Sequence, residues 1–577
     1  MSRQMAPPTL LYPEPIAAPV LPTQLKRKDN PRLYGWWLVV VAYLIENLPF
    51  LRQFLWHNAG FGVLRDCDFL RLVEPRFDPT VIPQTHATDK SDDSDLPSCH
   101  YSASHYRSRY LSGELSPLDL VRSVLPLIRR DMSPPGEHST AWIDVKPDIV
   151  IRSAQESTAR YKKGQSLGPL DGVLVAVKDS YDMQGYSTTH GSALDLTGRD
   201  ENGHAHDSWC VQKLKEAGCI ILGKLNMHEL GMDTSGVNVT YGTPRNPFHP
   251  RYYTGGSSSG SAYAVASGLV PIALGTDGGG SIRIPASFCS VFGLKPTHGR
   301  LSYHPGHNHA STSEVNGIIA SDIQSLVSAY RVVGQPHPTS GFPPIALGLD
   351  RSKILGIDDD WLQQSTPEVQ AIYRSLIKDL QRKGYSTVSV KIPFVAEGQI
   401  AHTLSILNDA GTGIGKHTHL ISAPNRIFAA MGRATPATDY LLAQKLRRVL
   451  MQHLSYLWKQ HPDMILITPT TACAGWPMHS ESELVYGIND GNRTLQTMEY
   501  VWLANFCGVP SLSVPAGYAL PSQIAGKEGK VPVGVMAMAE WGREDILLGF
   551  GLDVQVLGGE RQVRPPNWVD TISLTRK

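Results

Sequence analysis

The sequence lacks a long uninterrupted apolar run. The longest, residues 33–45, has 13 residues before Glu46, Asn47 and Pro49 interrupt it, whereas a membrane-spanning helix needs about 20. More than 30 residues precede this run, several of them prolines, and no small-x-small cleavage site follows, which argues against a secretory signal peptide. We interpret residues 33–55 either as an amphipathic segment that makes weak contact with a membrane through its Trp/Tyr belt, or as a helix packed on the main domain, and we favour the packed helix.

The sequence also has little net charge and no paired cysteines. Its 53 basic and 52 acidic residues give a formal net charge of +1, which argues against an extended nucleic-acid-binding surface. The seven cysteines include no CxxC pair, so neither a disulfide framework nor a zinc ribbon is indicated. Free thiols of this kind fit a reducing compartment, and we expect a cytoplasmic protein without a metal.

Short apolar runs alternate with helix-like stretches in the part of the chain that follows. The stretch Ser116-Pro117-Leu118-Asp119 predicts the start of a helix, because it combines a capping serine, a proline at the first helical position and an acid at the third. Three apolar runs, residues 172–177, 217–223 and 270–275, predict buried strands. This alternation is typical of an α/β domain with a partly parallel sheet.

Glycine is concentrated in one region. The chain has 52 glycines, and eight of them fall in the 26 residues 255–280. Seven of these eight form two clusters, residues 255–261 and 275–281, and each cluster ends in a serine. Glycines allow backbone N–H groups to converge on one point. A serine at the end of such a turn can attack a carbonyl group while those N–H groups bind the oxyanion.

Other interpretations of these residues are weaker. A phosphate-binding P-loop needs a lysine before the final serine or threonine, and none precedes Ser261. A GxSxG nucleophile elbow centred on Ser258 would need an acid and a histidine further along the chain, and no motif supplies them. His304, His307 and His309 could act as a base or as metal ligands, but a polar loop explains them better because no acid or cysteine partner has ligand spacing.

Residues 255–297, GGSSSGSAYAVASGLVPIALGTDGGGSIRIPASFCSVFGLKPT, resemble the signature of the amidase signature family. The blocks GPLDGVLVAVKDSYDMQGYSTTHGS, GKLNMHELGM and LANFCGVPSLSVPAGY resemble other parts of the same family. The resemblance implies a large three-layer α/β/α fold with a central mixed, twisted sheet. We divide the chain into a disordered Pro-rich leader (1–32), an apolar helical segment with a polar linker (33–100), a catalytic domain (101–560, signature core about 165–300) and a C-terminal tail (561–577).

The resemblance also implies a Ser–Ser–Lys triad. Lys178 would be the base, Ser257 the bridging serine and Ser281, which lies 24 residues further on, the nucleophile. The resemblance further implies backbone and supporting roles for these residues: a cis Gly256–Ser257 peptide, an oxyanion hole from the N–H groups of Gly278, Gly279, Gly280 and Ser281, and support of the loops by Ser258, Asp277 and Arg283.

The expected activity is hydrolysis of a small-molecule carboxamide through an acyl-serine, with no cofactor, no nucleic-acid partner and no metal. Two alternatives remain: a catalytic subunit of a glutamine-dependent amidotransferase, and a non-catalytic binding protein that keeps the fold. Met498 stands where the amidotransferase subunits carry an aspartate, which disfavours the first alternative. A homodimer is a further expectation. We expect the substrate pocket in residues 390–500, with an apolar or aromatic acyl site formed by Trp476, Met478, Tyr500 and Trp502.

Overall fold

The structure, a computed structural model, describes residues 9–19, 29–83, 98–306, 308–345, 347–348, 352–414, 417–522, 526 and 528–576. Within these residues the strands are β1 Thr9–Leu10, β2 Leu33–Tyr34, β3 Ile82–Pro83, β4 Trp142–Asp144, β5 Leu174–Lys178, β6 Ile220–Leu225, β7 Ile272–Asp277, β8 Phe292–Lys295, β9 Val315–Ala320, β10 Ile354–Ile357, β11 Ser386–Ser389, β12 Ile465–Pro469, β13 Ile488–Asn489, β14 Ser511–Ala519 and β15 Val531–Met538.

The α-helices of the same described residues are α1 Gly35–Asn47, α2 Pro49–Asn58, α3 Ala103–Ser112, α4 Pro117–Ile128, α5 Pro147–Lys162, α6 Trp209–Glu216, α7 Ser259–Ala266, α8 Arg283–Phe288, α9 Ile323–Val333, α10 Asp359–Leu362, α11 Pro367–Arg382, α12 Val395–Ile414, α13 Ala423–Arg433, α14 Ala437–Gln460, α15 Ser482–Tyr486, α16 Gly491–Thr497, α17 Trp502–Phe506, α18 Glu544–Leu557 and α19 Thr571–Leu574.

A mixed sheet of eleven strands forms the centre of the described chain, in the order β11-β10-β12-β15-β14-β8-β9-β7-β5-β6-β4. Strands β5, β6 and β7 pair in parallel, and so do β10, β11 and β12. Antiparallel pairs join these two groups through β15, β14, β8 and β9. The α/β class and the mixed sheet are therefore confirmed.

Both faces of this sheet are buried. On β5, Val175 and Val177 belong to one hydrophobic core, which also contains side chains from α9, α11 and α18. Leu174 and Ala176 belong to a second core, on the opposite face, with side chains from α4, α5 and α7. Alternate residues of a strand point to opposite faces, so a strand with helices on both sides must be apolar at every position. Lys178, two residues after Ala176, points to the same face as α7.

The elements predicted around the glycine clusters are present. Helix α4 begins at Pro117, and the Ser116 side chain accepts a hydrogen bond from the Asp119 N–H at 3.2 Å. Strands β5, β6 and β7 overlap the three apolar runs, each starting two or three residues later than predicted. Strand β5 extends to Lys178, so the lysine is itself part of the buried strand.

The N-terminal segment differs from its prediction. Of the segment expected to be a disordered leader, residues 9–19 lie on the domain: β1 pairs with β3, and the Pro13 carbonyl accepts a hydrogen bond from Ser455 Oγ at 2.9 Å. Two backbone N–H groups of this segment also donate to α14: that of Ile16 to the Gln452 carbonyl at 3.3 Å and that of Ala18 to His453 Nδ1 at 3.1 Å. Residues 1–8 and 20–28 lie outside the described residues. The C-terminal tail also packs on the domain, where the Val569 N–H donates to the Ser267 carbonyl at 2.8 Å.

Helices α1 and α2 form a bent pair with an angle of 107° between them. Within the described residues, none of the helices by itself has the length and apolarity needed to cross a bilayer. Leu38, Ala42 and Trp56 are buried against the domain, as predicted for a packed helix. The opposite face of the pair is apolar and exposed, with Trp37 at 59% and Phe50 at 72%.

Candidate active site

Lys178 lies at the end of β5 and is completely buried. Its Nζ is 2.7 Å from Ser257 Oγ and 2.8 Å from Thr276 Oγ1. Burial lowers the pKa of Lys178 from 10.5 to about 8, against the opposing effect of the carboxyl groups of Glu314 and Asp277. A buried amine with a lowered pKa is a base that works near neutral pH.

The two glycine clusters meet next to this lysine. Ser257 follows a cis peptide bond to Gly256, as the resemblance implies. Ser258 links the two clusters, because its N–H donates to the Ser281 carbonyl at 3.1 Å and its Oγ donates to the Thr276 carbonyl at 3.2 Å. Ser257 and Ser281 line the same cavity. Among the described residues, no hydrogen bond joins the hydroxyl groups of these two serines.

A buried ion pair holds the second cluster. Arg283 donates to both carboxylate oxygens of Asp277, at 2.9 and 3.0 Å, and neither side chain has exposed surface. Asn505 also donates to Asp277 Oδ1, at 2.9 Å. Burial alone would raise the pKa of Asp277, but the charge of Arg283 and these hydrogen bonds hold it well below its ordinary value. The charged carboxylate therefore anchors the loop, which is consistent with the supporting roles expected of Asp277 and Arg283.

One of the four amides expected in the oxyanion hole is already occupied. The Gly280 N–H donates to Asp277 Oδ1 at 2.7 Å, so it is not free to bind an oxyanion, and the expectation for this residue is corrected. The N–H groups of Gly278, Gly279 and Ser281 have no acceptor within the described part of the chain. Gly280 has φ +105°, and a methyl group on it would lie 2.5 Å from Val501 Cγ2, so the loop requires glycine at this position.

Sequence reasoning missed two residues of this site. Glu314 lines the cavity, and burial raises the pKa of its carboxyl group, although Lys178 acts against that shift. His402, on α12, is buried and its Nε2 lies 2.8 Å from the Gly278 carbonyl oxygen. Neither residue belongs to a recognisable motif. For Glu314, the one indication in the sequence of a role in the site was its position along the chain near the proposed triad. Nothing in the sequence indicated such a role for His402.

The serines open into what we call the reaction cavity, which has about 750 Å³ counted to its open mouth. A second space, the apolar cavity, adjoins it and has about 780 Å³ when open solvent at its mouth is included. The two cavities share four lining residues: Thr403, Leu407, Phe428 and Thr494. The apolar cavity is completed by side chains from the N-terminal segment and from α12 and α13, among them Leu33, Ile45, Leu55, Phe61, Ile400, Ile427 and Met431.

Residues from the predicted pocket region line both cavities, but the four residues expected to form the acyl site do not. Residues 400–498 supply much of both linings. Trp476, Met478, Tyr500 and Trp502 line neither cavity and are buried in the core. Their large apolar surface is covered by other core side chains, and the indole of Trp361 lies 5.1 Å from the Tyr500 ring. Met498 does line the reaction cavity.

The histidine loop does not form a metal site in the part of the chain that is described. His309 lines the reaction cavity, and its Nε2 lies 3.2 Å from Nε2 of His190. His304 stacks on His337 at the surface, with ring centroids 4.3 Å apart. His307 lies outside the described residues. All seven cysteines are free thiols.

Comparison with known proteins identifies the family. A family profile described as Amidase matches residues 136–548. The chain is 32% identical to a fatty acid amide hydrolase of Medicago truncatula, over 94% of this chain and 95% of the relative. It is 27% identical to a glutamyl-tRNA(Gln) amidotransferase subunit of Thermus thermophilus, over 80% and 98% of the two chains.

A solved structure supports the fold. The peptide amidase of Stenotrophomonas maltophilia matches with a TM-score of 0.66, covering 81% of this chain and 98% of the peptide amidase, at 23% identity. The chain therefore belongs to the amidase family, and it is an amide hydrolase.

Proposed function

We propose that this chain cleaves a carboxamide through an acyl-Ser281 intermediate, with Ser257 and Lys178 as its proton relay. The observation that carries the proposal is the completely buried Lys178, whose Nζ lies 2.7 Å from Ser257 Oγ. A serine hydroxyl is a weak nucleophile without an adjacent base. Lys178 is the base that the geometry offers.

The relay moves one proton in each direction. Neutral Lys178 accepts the Ser257 proton through its lone pair, while its N–H groups donate to Thr276. Ser257 accepts the proton of Ser281, whose oxygen attacks the amide carbonyl carbon. The proton returns to the leaving nitrogen as the C–N bond breaks, and water then cleaves the acyl-enzyme by the same route. The two serine hydroxyl groups are expected to come within hydrogen-bond distance when substrate binds, since catalytic hydrogen bonds commonly tighten at that point.

The oxyanion would be bound by the free N–H groups of Gly278, Gly279 and Ser281. Such donors stabilise charge that develops on the carbonyl oxygen in the transition state, and removal of one donor in other enzymes costs about 10²–10³ in kcat.

A fluorophosphonate probe tests the nucleophile, because it phosphonylates activated serines. We expect labelling of the wild-type chain and no labelling of Ser281→Ala. Ser259→Ala is the matched control: Ser259 is buried in the same region and its Oγ has no hydrogen-bond partner among the described residues, so labelling should persist. Labelling of Ser281→Ala at the wild-type rate would contradict the proposal.

We propose an amide with a long apolar acyl group as the substrate. The support is the apolar cavity, which adjoins the reaction cavity and is lined mainly by aliphatic and aromatic side chains. The fatty acid amide hydrolase of Medicago truncatula is a relative over almost its whole length. Apolar chains gain about 0.8 kcal/mol per buried CH₂, so a chain that extends into the apolar cavity should bind better than a short one.

The amidotransferase alternative rests on the 27% identity to the Thermus thermophilus protein. Met498 in the reaction cavity disfavours it, because a thioether cannot bind the polar groups of glutamine. Hydrolysis of simple amides by the purified single chain would count against the alternative. The non-catalytic alternative is disfavoured by the Lys178–Ser257 contact, since a binding module has no need for a buried amine beside a serine.

The exposed face of α1 and α2 is proposed to touch a membrane surface from the cytoplasmic side. It presents Trp36, Trp37, Tyr43, Phe50 and Phe54, which are 55–72% exposed, and aromatic side chains prefer the bilayer interface. Residues from the same segment also line the apolar cavity, so an apolar substrate could pass from a membrane to the site.

Vesicle flotation tests this contact. We expect the chain to float with phosphatidylcholine vesicles, and a variant with Trp36, Trp37, Phe50 and Phe54 all changed to Ser to remain at the bottom. If the wild-type chain does not float and light scattering shows a dimer that the variant lacks, the face is a homodimer contact instead.

A further inference from the structure

Within the described residues, the His402 ring makes one hydrogen bond, and its partner belongs to the loop of the proposed oxyanion hole. Its Nε2 lies 2.8 Å from the Gly278 carbonyl oxygen. A carbonyl oxygen can only accept, so Nε2 carries a proton and donates it. In the described part of the chain, Nδ1 of the same ring has no hydrogen-bond partner.

The ring is neutral at pH 7. Burial lowers the pKa of His402 to about 4, which outweighs the opposing effect of the bond to Gly278. A neutral imidazole carries a single N–H, and the contact with Gly278 places it on Nε2. Nδ1 is therefore a buried acceptor without a partner among the described residues, which costs free energy. The polar interaction that the ring makes in return is the hydrogen bond to Gly278.

The hydrogen bond from His402 to the Gly278 carbonyl also fixes the Gly279 N–H, which belongs to the same peptide group. In a trans peptide the C=O and the next N–H point in opposite directions. The direction of the Gly278 carbonyl, set by His402, therefore determines the direction of the Gly279 N–H. The ring also packs on the loop, since a methyl group on Gly279 would lie 3.0 Å from His402 Cε1.

The next peptide has its own anchor. The Gly280 N–H donates to Asp277 Oδ1 at 2.7 Å, so the Gly279–Gly280 peptide is held by a separate contact. Between the two anchors, the Gly279 N–H has no acceptor in the described residues. With the Gly278–Gly279 and Gly279–Gly280 peptides both held, the Gly279 N–H has a fixed direction and no acceptor among the described residues. An oxyanion site requires such a pre-oriented donor.

We propose that His402 is a positioning residue that holds the Gly279 N–H in the direction of the substrate oxyanion. This inference rests on the proposed acyl-Ser281 mechanism. It assigns to α12 a role in transition-state stabilisation, although His402 is separated from Gly278 by 124 residues in the sequence.

The test compares three variants by kcat and KM on one amide substrate. His402→Phe keeps a ring and removes the donor, and we expect kcat to fall about 10- to 100-fold, somewhat less than the loss of a whole donor, with KM changed less than twofold. His402→Gln keeps an N–H donor and should restore most of kcat. His453→Phe is the matched control, because His453 Nε2 also lies 2.8 Å from a backbone carbonyl, that of Lys391, away from the reaction cavity; its kcat should be unchanged.

A second readout separates positioning from packing. A boronic acid that forms a tetrahedral adduct with the serine should lose affinity in His402→Phe by the same factor as kcat/KM. If the Phe ring prevents folding, His402→Leu makes the same comparison. An unchanged kcat without the donor, or a Gln variant as slow as the Phe variant, would overturn the inference. Activity in Ser281→Ala would instead overturn the proposed mechanism, so the two failures are distinguishable.

Discussion

Acylation of Ser281 should depend on pH with an inflection near pH 8. The reason is that Lys178 must be neutral to accept a proton, and burial lowers its pKa from 10.5 to about 8. Below pH 8 the second-order rate constant should fall about tenfold per pH unit, and above pH 8 it should level off. The lysine of an exposed chain would give its inflection above pH 10.

The size of the effect follows from the pKa. With a pKa of about 8, about one lysine in ten is neutral at pH 7, compared with roughly three in ten thousand at the ordinary value. The shift from 10.5 to about 8 disfavours the buried ammonium by about 3 kcal/mol. Below pH 8 the buried ammonium lowers the free energy of unfolding by this full amount. The destabilisation decreases as the pH rises from 8 and disappears above 10.5, where the lysine is neutral in both the folded and the unfolded chain.

The assay is the rate of labelling by a fluorophosphonate between pH 6 and pH 10. It reports acylation alone and is insensitive to product release. The charged and titratable groups that act on Lys178 are Glu314, Asp277 and His228. Glu314 favours the ammonium form, so Glu314→Gln should move the inflection to lower pH and speed labelling at pH 7.

Two results would refute the reasoning. One is a flat rate between pH 7 and pH 9 in the wild-type chain. The other is the same inflection in Lys178→Ala, which should instead label about 10²–10⁴ times more slowly and lack the inflection near pH 8.

Three further predictions concern the loop and the cavities. Arg283→Met leaves the buried Asp277 carboxylate without its partner and should lower the free energy of unfolding by about 3–5 kcal/mol, measured by denaturant titration. Gly280→Ala places a methyl group 2.5 Å from Val501 Cγ2 at φ +105° and should reduce kcat by about 100-fold or more, because a misplaced donor loop loses oxyanion stabilisation. Thr403 lines both the reaction cavity and the apolar cavity, so Thr403→Phe should obstruct an acyl chain that extends from one into the other and lower kcat/KM for a long-chain acyl amide about tenfold.

Each of these has a control in the same chain or assay. Arg129→Met removes an exposed partner of Asp131 and should leave the denaturation midpoint unchanged. Gly113→Ala also forces a positive φ, +77°, but meets no atom within 4 Å, so it should retain full kcat. Thr403→Phe should hydrolyse an acetyl amide at the wild-type rate. If the variant lost activity on both the long and the short substrate, the proposal that the acyl chain occupies the apolar cavity would be refuted.

The strands and loops that carry the proposed triad could be predicted from sequence because their signals are local. The run before Lys178 is apolar at every position, as a strand buried on both faces requires, and the glycine clusters mark the start of α7 and the turn between β7 and α8. Ser116 and Asp119 likewise define the start of α4 within four residues. The roles of Lys178, Ser257 and Ser281 came from family resemblance, which the spacing of the serines supports.

The errors arose where the outcome depends on distant partners. Trp502 and Tyr500 have the composition of an apolar acyl site, yet they are core residues, because α10 and α12 cover them. Residues 9–19 have the composition of a disordered leader, yet α14 satisfies their backbone groups. The amino-acid composition of a segment indicates whether its side chains prefer to be buried. It does not indicate which other part of the chain will pack against them.

The sequence by itself determined the fold class, because short apolar runs alternate with helix-like stretches. Its motifs also carry the family resemblance, and that resemblance supplied the residues proposed for the triad. Other features depend on the tertiary structure alone. These are the lowered pKa of Lys178 and the hydrogen bond from the Gly280 N–H to Asp277, which removes that N–H from the expected oxyanion hole. The contact of His402 with Gly278 and the apolar cavity bounded by the N-terminal segment are two more. Each of these depends on groups far apart in the chain. Burial, hydrogen-bond geometry and the shape of a cavity exist only after such groups have been brought together.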